Sequence, residues 1–317
     1  MDIKSKIYVA GNTGLVGSAI CRTLETHGYD NLVFTPFPEY DLTNQEQTRE
    51  FFARENPEYV FIAAAKVGGI YANSTYPAEF IYTNLMIACN IIHAAYKNRV
   101  KKLLFLGSSC IYPKYASQPI KENYLLTGQL EPTNEAYAVA KISGLKLCEY
   151  YRRQYGCDFI AAMPTNLYGP GDNFDLQTSH VLPAMIRKFH DAKMNENRDV
   201  TLWGTGNPRR EFLFVDDLAD ALLFIMKKYS DLQHINVGSG TDIEIRKLAE
   251  LVADIVGFKG MIKWDTSKPD GTPRKQLDVT KLNDLGWSEK TTLSSGIERT
   301  YKWFLSHHLK EKFTKSN

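Results

Sequence analysis

The first half of the chain alternates two kinds of hydrophobic pattern. Short runs rich in β-branched and aromatic residues predict buried strands, and longer segments with apolar residues at helical spacing predict helices. Strands that alternate with helices predict a parallel sheet covered on both faces, and right-handed crossovers make such a sheet doubly wound. The predicted strands are 6–10, 31–35, 59–63, 102–106 and 159–163, and the helices are 15–26, 44–55, 78–98 and 137–155.

The pattern becomes less regular after residue 164. Prolines and glycines interrupt the chain between residues 164 and 183, and three later helices are separated by short strands. We therefore predict an α/β protein with a Rossmann-type, doubly wound parallel sheet in a cofactor domain over residues 1–164. A smaller α+β substrate lobe is expected over residues 165–317, with some segments that return to the first sheet. The later helices are predicted at 217–228, 244–256 and 294–304.

Composition and charge exclude several classes of protein. The 317 residues are 44% hydrophobic and 23% charged, as in ordinary globular proteins, and the net charge of +2 gives no basic surplus for nucleic acid. No apolar stretch reaches the ~18 residues of a membrane span, and the apolar run at the N terminus is too short for a signal peptide. Five cysteines without a CxxC pair favour a reducing compartment. We expect a cytoplasmic protein that binds neither nucleic acid nor membranes.

A glycine-rich segment lies between the first predicted strand and the first predicted helix. Its three glycines lie where the chain turns tightly and where the backbone approaches a pyrophosphate. The N–H groups and the dipole of the helix that follows favour an anion. Glycines also occur in plain strand-to-helix turns, but this position at the start of the first helix favours dinucleotide binding. The expected contacts are Gly11, Asn12, Thr13, Gly14, Leu15, Val16 and Gly17.

The end of the second predicted strand would select NAD or NADP. An acidic residue there would bind a ribose 2′-hydroxyl, and an arginine would bind a 2′-phosphate. The chain has Thr35 and Phe37 near this strand end and Thr13 in the glycine-rich segment. These residues alone leave the choice of cofactor open.

A serine, a tyrosine and a lysine carry the catalytic hypothesis. Ser108 follows the fourth predicted strand, at the edge where open α/β sheets bind ligands. Tyr137 and Lys141 are four residues apart and project from the same face of a helix. The ammonium is expected to lower the pKa of the phenol from about 10, which would make the tyrosine an acid or base for a carbonyl oxygen. This spacing also occurs by chance in helices, but the order of the three motifs along the chain favours catalysis.

Longer segments of the chain resemble one known family. Through segments such as GSSCIYPK and EPTNEAYAVAKISGLKLCEYY, the chain resembles the extended short-chain dehydrogenase/reductase family. Within this family it resembles the enzymes that act on GDP-linked 4-keto-6-deoxy sugars. The resemblance runs over nearly the whole chain. It implies an NADPH-dependent conversion of GDP-4-keto-6-deoxy-D-mannose to GDP-L-fucose, by epimerisation at C3 and C5 and reduction at C4. The segments include GSSCIYPK, EPTNEAYAVAKISGLKLCEYY, MPTNLYGPGDNF, SHVLPAMIRKFHDA, WGTGNPRREFLFVDDLA and KPDGTPRKQLDV.

The resemblance divides the reaction between two sets of residues. It assigns the reduction to Ser108, Tyr137 and Lys141, and it makes Cys110 and His180 the acid/base pair of the epimerisation. Cys110 lies two residues beyond Ser108, so one strand end could direct both side chains into one pocket. A thiolate is a competent base when a cationic neighbour lowers its pKa. Without the resemblance, packing would be the simpler role for Cys110 and His180.

The resemblance also assigns the binding residues. Trp203 can stack on guanine, and Arg210 and Lys188 suit diphosphate oxygens. Asp270 and Arg274 are expected near the guanosine, although Asp270 fits a surface turn equally well. Further cofactor contacts are expected from Asp41, Leu42, Ala64, Lys141, Pro164, Asn166, Leu167 and His180, and the full substrate set is Asn166, Lys188, Trp203, Arg210, Asp270 and Arg274.

The chain departs from the family at two places. The family often has arginines for the NADP phosphate where this chain has Thr13, Thr35 and Phe37. NADP(H) is therefore expected from the resemblance alone, and NAD(H) stays an alternative. Lys188 stands where an arginine is usual, which keeps the charge but loses the bidentate geometry.

Other functions stay open at this stage. A reductase of the same build could act on a related GDP-4-keto-6-deoxy sugar, such as a heptose, with little or no epimerisation. A non-catalytic dinucleotide-binding sensor or structural subunit would keep the fold without needing the serine, tyrosine and lysine. A 4,6-dehydratase is less favoured, because Cys110 stands where its acidic residues would be expected. Since family members pair through two long helices, we also expect a homodimer through 78–98 and 137–155.

Overall fold

The computed structural model describes residues 1–35, 38–268 and 270–314, with the side chains of the last helix up to His307. Its strands are β1 (Ile7–Ala10), β2 (Leu32–Val33), β3 (Tyr59–Ile62), β4 (Lys102–Leu106), β5 (Phe159–Pro164), β6 (Asn166–Tyr168), β7 (Asp199–Trp203), β8 (Arg209–Phe214), β9 (Ile235–Val237), β10 (Asp242–Glu244), β11 (Met261–Asp265) and β12 (Arg274–Lys275). Its helices are α1 (Leu15–Thr26), α2 (Gln45–Glu55), α3 (Ile70–Thr75), α4 (Pro77–Lys97), α5 (Glu135–Tyr155), α6 (Val181–Met194), α7 (Val215–Lys228), α8 (Ile245–Val256), α9 (Thr280–Asp284) and α10 (Leu293–Thr314).

Six strands form one sheet in the order β2-β1-β3-β4-β5-β9, and every pair in it is parallel. The chain order reverses between β1 and β3, which places a crevice for a ligand at the carboxyl ends of these strands. Strand β9 joins the sheet after an excursion of about 70 residues that starts beyond β5. The predicted doubly wound α/β fold is confirmed.

Both faces of this sheet are buried, which explains why its strands are nearly all apolar. Along β1, Tyr8 belongs to one hydrophobic core, with α2, α4 and α5, and its neighbour Val9 belongs to the other, with α1 and α7. Successive side chains of a strand point to opposite faces, so a strand between two helical layers needs apolar residues at every position. Helices thus cover both faces of the sheet.

A second region contains the remaining strands. Strands β10, β8 and β12 form a small sheet, β6 pairs with β8, and β11 pairs with β7. Helices α6, α8 and α10 cover a third hydrophobic core that includes Phe189, Phe214 and Val252. This region packs beside the carboxyl end of β5, because β6 begins two residues after Pro164.

Two elements differ in length from the prediction. Strand β2 was expected over residues 31–35 but pairs only at Leu32 and Val33. Helix α10 was expected to end at residue 304 but continues to Thr314, for a length of 22 residues. Among the helices of the described residues, none combines the length and the apolar character required to cross a membrane.

Candidate active site

The site lies where the strands of the six-stranded sheet end. Gly11 follows β1, Ala64 lies two residues beyond β3, Ser108 two residues beyond β4, and Pro164 is the last residue of β5. Because parallel strands bring their carboxyl ends to one edge, residues that are far apart in sequence meet there. This edge brings several of the cofactor residues expected from the sequence close to Ser108.

The glycine-rich segment forms a tight cradle. Gly11 has φ +83°, and a Cβ there would lie 2.7 Å from Ala64. A Cβ at Gly17 would lie 1.9 Å from the carbonyl oxygen of Gly11, so α1 packs directly on the turn. The N terminus of α1 has no side-chain cap at Gly14 and no acidic residue in its first turn. The free N–H groups and the open surface therefore fit the pyrophosphate of a dinucleotide.

The described residues near β2 do not distinguish NAD from NADP. Thr35 is buried, and its hydroxyl shares a hydrogen bond of 3.0 Å with the Tyr8 hydroxyl. Phe37 lies outside the described residues. Asp41 is exposed, and its carboxylate accepts the Thr43 N–H at 2.9 Å at the start of α2. The Thr35 hydroxyl is therefore already engaged by a side chain of the protein itself.

Tyr137 and Lys141 lie on one face of α5, as predicted. The Lys141 ammonium is buried, donates to the Leu106 carbonyl at 2.8 Å, and lies 5.7 Å from the centre of the Tyr137 ring. Burial lowers the pKa of Lys141 to about 8, against the opposing effect of Cys110. Burial raises the pKa of Tyr137, and the neighbouring Cys110 raises it further. The expected lowering of the tyrosine pKa was wrong, because burial of the phenol and the neighbouring Cys110 both raise it.

Cys110 lies near enough to Lys141 and Tyr137 to act on the charge of both. It lies in a short 3-10 helix, Ser109–Ile111, and its backbone N–H donates to the Ser108 hydroxyl at 3.4 Å. The thiol is buried, with 7% of the residue exposed. Burial raises the pKa of Cys110, while Lys275 and Lys141 oppose this rise. Cys110 lines a cleft in the structure, and the expectation that Ser108 shares one pocket with it stays a prediction.

His180 approaches the pocket from the second region. It is the cap residue before α6, and its own side chain makes no capping hydrogen bond. Desolvation in the cleft lowers the pKa of His180, and the positive charge of Lys275 lowers it further. The imidazole is therefore neutral at neutral pH and can accept a proton.

Lys275 was not among the residues selected from the sequence. It lines the cleft together with Cys110, Glu131 and Asn134. Burial lowers the pKa of Lys275, and its charge acts on both Cys110 and His180. The selected neighbour, Arg274, also lines this cleft, and it donates to the Asp242 carboxylate at 2.5 Å. The alternation of side chains along β12 explains why two adjacent cations have different partners.

The remaining substrate candidates form a connected row in the second region. Lys275 pairs with Arg210 between β12 and β8, and one Arg210 nitrogen lies 3.5 Å from the Asp270 carbonyl. The Asp270 carboxylate accepts the Thr205 N–H at 2.7 Å and so holds the turn that follows Trp203. This turn role for Asp270 was the alternative weighed from the sequence.

Trp203 lies at the far end of this row. Its side chain is 60% exposed, and the Lys188 and Lys268 ammonium groups lie 5.9 Å and 5.6 Å from its ring. Lys188 also donates to the Thr201 carbonyl at 3.2 Å, and burial lowers its pKa. An exposed indole beside two cations suits a flat base attached to phosphates.

The residues at the junction of the two regions complete the set. Asn166, the first residue of β6, donates to the Glu211 carbonyl at 2.7 Å. Pro164 is buried in β5, Leu167 is half-buried beside Asn166, and Leu42 packs against the first core. Asn166 is thus the expected binding residue that links the cofactor edge to the second sheet.

The chain is similar in sequence to a known protein family and to individual proteins of known name. A sequence profile described as the NAD dependent epimerase/dehydratase family matches residues 7–238. The chain is 59% identical to GDP-L-fucose synthase 1 of Arabidopsis thaliana, over 96% of this chain and 95% of that protein. It is also 54% identical to the GDP-L-fucose synthase of Escherichia coli, over 96% of this chain and 98% of that protein.

Two solved structures share the whole fold. One is a GDP-L-fucose synthetase from Naegleria fowleri bound to NADP, with a TM-score of 0.90 at 30% identity, covering 98% of this chain and 96% of that one. The other is a GDP-6-OMe-4-keto-L-xylo-heptose reductase from C. jejuni, with a TM-score of 0.91 at 40% identity, covering 97% of this chain and 99% of that one.

Proposed function

Because the chain belongs to the NAD dependent epimerase/dehydratase family, we propose that it converts GDP-4-keto-6-deoxy-D-mannose to GDP-L-fucose. The reaction consists of epimerisation at C3 and C5 followed by NADPH-dependent reduction at C4. The relatives that share more than half of its residues are GDP-L-fucose synthases. The observation that carries the proposal is the placement of the Lys141 ammonium, which is bound by the Leu106 carbonyl and lies 5.7 Å from the centre of the Tyr137 ring, with Cys110 near both.

Reduction uses the residues of the first sheet. NADPH, when bound, supplies hydride to C4. Tyr137 keeps its proton at neutral pH, because its pKa is raised, and donates it to the C4 oxygen as negative charge develops there. Ser108 donates a hydrogen bond to the same oxygen. Lys141, fixed by the Leu106 carbonyl, places a positive charge below the phenol and stabilises the phenolate that remains.

Epimerisation uses residues from both regions. The 4-keto group acidifies the hydrogens at C3 and C5, and Cys110 and His180 exchange these protons as an acid/base pair. Lys275 favours the thiolate of Cys110 against the effect of burial. Desolvation and the same charge keep the His180 imidazole neutral. The cation thus favours the unprotonated form of both groups, so either can remove a proton, and the group that returns a proton on the opposite face first takes it up from solvent.

The cofactor is a nicotinamide dinucleotide held by the residues from Gly11 to Gly17, with Ala64, Pro164 and Leu167 at the adjoining strand ends. We propose NADP(H) as the preferred form, since the Naegleria fowleri relative is described as bound to NADP. Thr13 and Thr35 offer no cation for a 2′-phosphate, so the preference should be small. Steady-state rates with NADPH and NADH at matched concentrations test this, and a higher kcat/KM for NADH would contradict it.

The sugar nucleotide occupies the row of residues that leaves the catalytic pocket. Its sugar lies beside Cys110 and His180, its diphosphate beside Arg210 and Lys275, and its guanine on Trp203. Lys188 reaches the diphosphate or the ribose from the side of Trp203. Asn166 contributes at the junction, while Asp270 and Arg274 shape the wall at the guanosine end.

Proton exchange in D2O tests the function directly. The protein is incubated with GDP-4-keto-6-deoxy-D-mannose in D2O without cofactor, and NMR follows the hydrogens at C3 and C5. We expect deuterium at both carbons, and after addition of NADPH we expect GDP-L-fucose. Reduction without deuterium at either carbon would contradict the epimerase part of the proposal.

A second candidate is a C4-reductase of a related GDP-4-keto-6-deoxy heptose. The likeness to a heptose reductase from C. jejuni supports it, at an identity lower than that of the plant and bacterial fucose synthases. The D2O experiment separates the two functions, because a pure reductase exchanges no proton at C3 or C5. A non-catalytic sensor is disfavoured by the buried Lys141 beside Tyr137, whose cost in desolvation serves no purpose in binding alone.

We also propose that the chain divides near residue 164 into a cofactor domain and a mainly substrate-binding lobe. We further propose a homodimer through the outer faces of α4 and α5. Tyr82 and Tyr150 are 61% and 53% exposed on these helices, whereas Ile91 and Leu145 belong to the core. Sedimentation of a Tyr82→Glu/Tyr150→Glu variant should show a monomer. The control Tyr115→Glu, at a residue 80% exposed elsewhere, should not change the mass.

A further inference from the structure

Glu211 is a fully buried carboxylate that the proposed reaction does not use. It lies on β8 next to Arg210, and none of its surface is exposed. Asp242 of β10 lies opposite it in the sheet. A buried carboxylate is costly unless its oxygens accept hydrogen bonds, so its partners indicate what it contributes.

Both carboxylate oxygens of Glu211 accept backbone N–H groups. Oε1 accepts from Gly240 at 2.8 Å, in the loop between β9 and β10. Oε2 accepts from Leu277 at 2.7 Å, two residues beyond Lys275. A Cβ at Gly238 would lie 2.1 Å from Oε1, so the loop approaches the carboxylate closely. One side chain therefore clamps two segments that are not adjacent in sequence.

The backbone of Glu211 binds a third segment. Its carbonyl oxygen accepts the Thr165 hydroxyl at 3.3 Å and the Asn166 amide at 2.7 Å. These residues follow β5 at the cofactor edge of the first sheet. Glu211 thus joins the cofactor edge, the loop after β9 and the strand that carries Lys275.

We infer that Glu211 is a positioning residue of the proposed active site, whose ionised carboxylate fixes β12 and with it Lys275 beside Arg210. The inference rests on the proposed function, because it concerns the site that binds the GDP-linked diphosphate. Lys275 and Arg210 are register partners, so a shift of β12 changes the distance between two cations. Glu211 itself contacts no substrate and acts through these cations.

The hydrogen bonds of Glu211 make its role dependent on pH. Burial raises the pKa of Glu211 to about 7, against the opposing effect of the Leu277 and Gly240 N–H groups. Below this pH the carboxyl carries a proton, and a hydroxyl then faces an N–H group that needs an acceptor. The clamp is therefore complete above about pH 7 and weakens as the pH falls.

Other charged groups lie around Glu211. Their effects on binding can be told apart from that of Glu211 by the direction in which their charge changes with pH. For Asp242, burial would raise the pKa, but Arg209 and Arg274 outweigh it and lower the pKa, so this group stays ionised. Burial lowers the pKa of Lys275, so this group loses charge as the pH rises, which is the opposite direction. The charged residues on the elements packed against Glu211 are Arg209, Arg210, Asp242, Glu244, Arg274, Lys275 and Asp278.

Binding of GDP-mannose to the full-length protein tests the inference. This probe has a diphosphate without a terminal phosphate that titrates near neutral pH. At about pH 8, Glu211→Gln should raise the Kd for GDP-mannose about tenfold, because an amide N–H₂ replaces one acceptor. Glu211→Asp, which keeps the charge but not the reach, should give a smaller rise. The matched control Glu250→Gln, at an exposed residue of α8, should stay within about twofold.

The pH profile separates positioning from a merely structural role. The wild type should bind GDP-mannose more weakly at about pH 6 than at about pH 8, and Glu211→Gln should lose this dependence. NADPH binding, measured in parallel, reports on the fold of each variant. If Glu211→Gln does not fold, the inference is tested by the affinity of the wild type and of Glu211→Asp for GDP-mannose at the two pH values.

Three results would overturn the inference, and they show whether the positioning role or the proposed function is wrong. If the wild type binds GDP-mannose and Glu211→Gln binds it equally well, with the same pH profile, only the positioning role is wrong. A wild-type affinity that does not fall between about pH 8 and about pH 6 has the same meaning. If the wild type binds NADPH but not GDP-mannose, the proposed function is wrong and the inference falls with it.

Discussion

The two sides of the cleft hold their functional side chains by different means. On the side of the six-stranded sheet, Gly11 and Ser108 are placed by strand ends, and Lys141 is fixed by the carbonyl at the end of β4. On the other side, short strands bring cations together, and carboxylates hold them: Asp242 binds Arg274, and Glu211 binds the segment beyond Lys275.

The two ways of positioning side chains serve different parts of the proposed reaction. Backbone geometry varies little with pH or salt, so the reduction centre keeps its shape over a wide range of conditions. Positions that depend on charge pairs respond to protonation and to the charge of a bound diphosphate. We therefore expect changes on the first side to abolish a step, and changes on the second side to adjust binding and proton exchange.

The largest effect is expected at the phenol of the first side. Tyr137→Phe removes the proton donor and should lower the rate of reduction by about 10²-fold or more, while NADPH binding persists. Stopped-flow measurement of NADPH oxidation gives the rate, and fluorescence titration gives the affinity. Deuterium exchange at C3 and C5 should continue in this variant. Unchanged reduction would remove Tyr137 from the chemistry.

A steric change in the glycine cradle is expected to come next. Gly17→Ala places a methyl group 1.9 Å from the Gly11 carbonyl, so α1 must move, at a cost of about 1–3 kcal/mol in the free energy of unfolding. The affinity for NADPH should fall with it. Gly14→Ala is the control, because a Cβ there lies 3.5 Å from the Gly11 carbonyl. Equal destabilisation in urea unfolding would contradict the role of close packing.

On the second side, loss of the Lys275 charge should act on proton exchange. Lys275→Met removes the cation that opposes the rise in the Cys110 pKa, so this pKa rises further. Deuterium exchange at neutral pH should slow by about tenfold, and the pH at which exchange accelerates should shift upward. Lys259→Met, whose side chain is 81% exposed, is the control. A normal exchange profile in Lys275→Met would show that Cys110 does not depend on this cation.

The smallest effect is expected beside Trp203. Lys188→Arg restores a planar, bidentate donor near the diphosphate and should lower the KM for the sugar nucleotide about twofold, with kcat unchanged. Lys247→Arg, at an exposed position of α8, serves as the matched control. A change in kcat without a change in KM would place Lys188 nearer to the chemistry than the cleft suggests.

The same two sides differ in how far the sequence alone predicts them. Ser108, Tyr137 and Lys141 could be selected because each is fixed by its distance from a strand end or by helical spacing. The first sheet could be predicted because its strands are buried on both faces and are separated by long amphipathic helices. These regularities are local in sequence, so pattern and propensity suffice.

The second side depends on contacts that no local pattern encodes. Arg274 was selected and Lys275 was not, although both line the cleft, because the sequence alone does not show that the Lys275 charge acts on Cys110 and His180. The Thr35 hydroxyl is bound by Tyr8, 27 residues away, and Arg274 by Asp242, 32 residues away. The tyrosine pKa was mispredicted for a related reason, since burial of a side chain is a property of the folded chain.

Trp203 gives the protein a built-in optical reporter. Among the described residues it is the tryptophan with the most exposed side chain, and two ammonium groups lie within 6 Å of its ring. If guanine stacks on this indole as proposed, occupancy of the nucleotide end would change the tryptophan fluorescence while NADPH absorbance follows the opposite end. Arrival of the substrate and transfer of hydride could then be timed separately in one unlabelled sample.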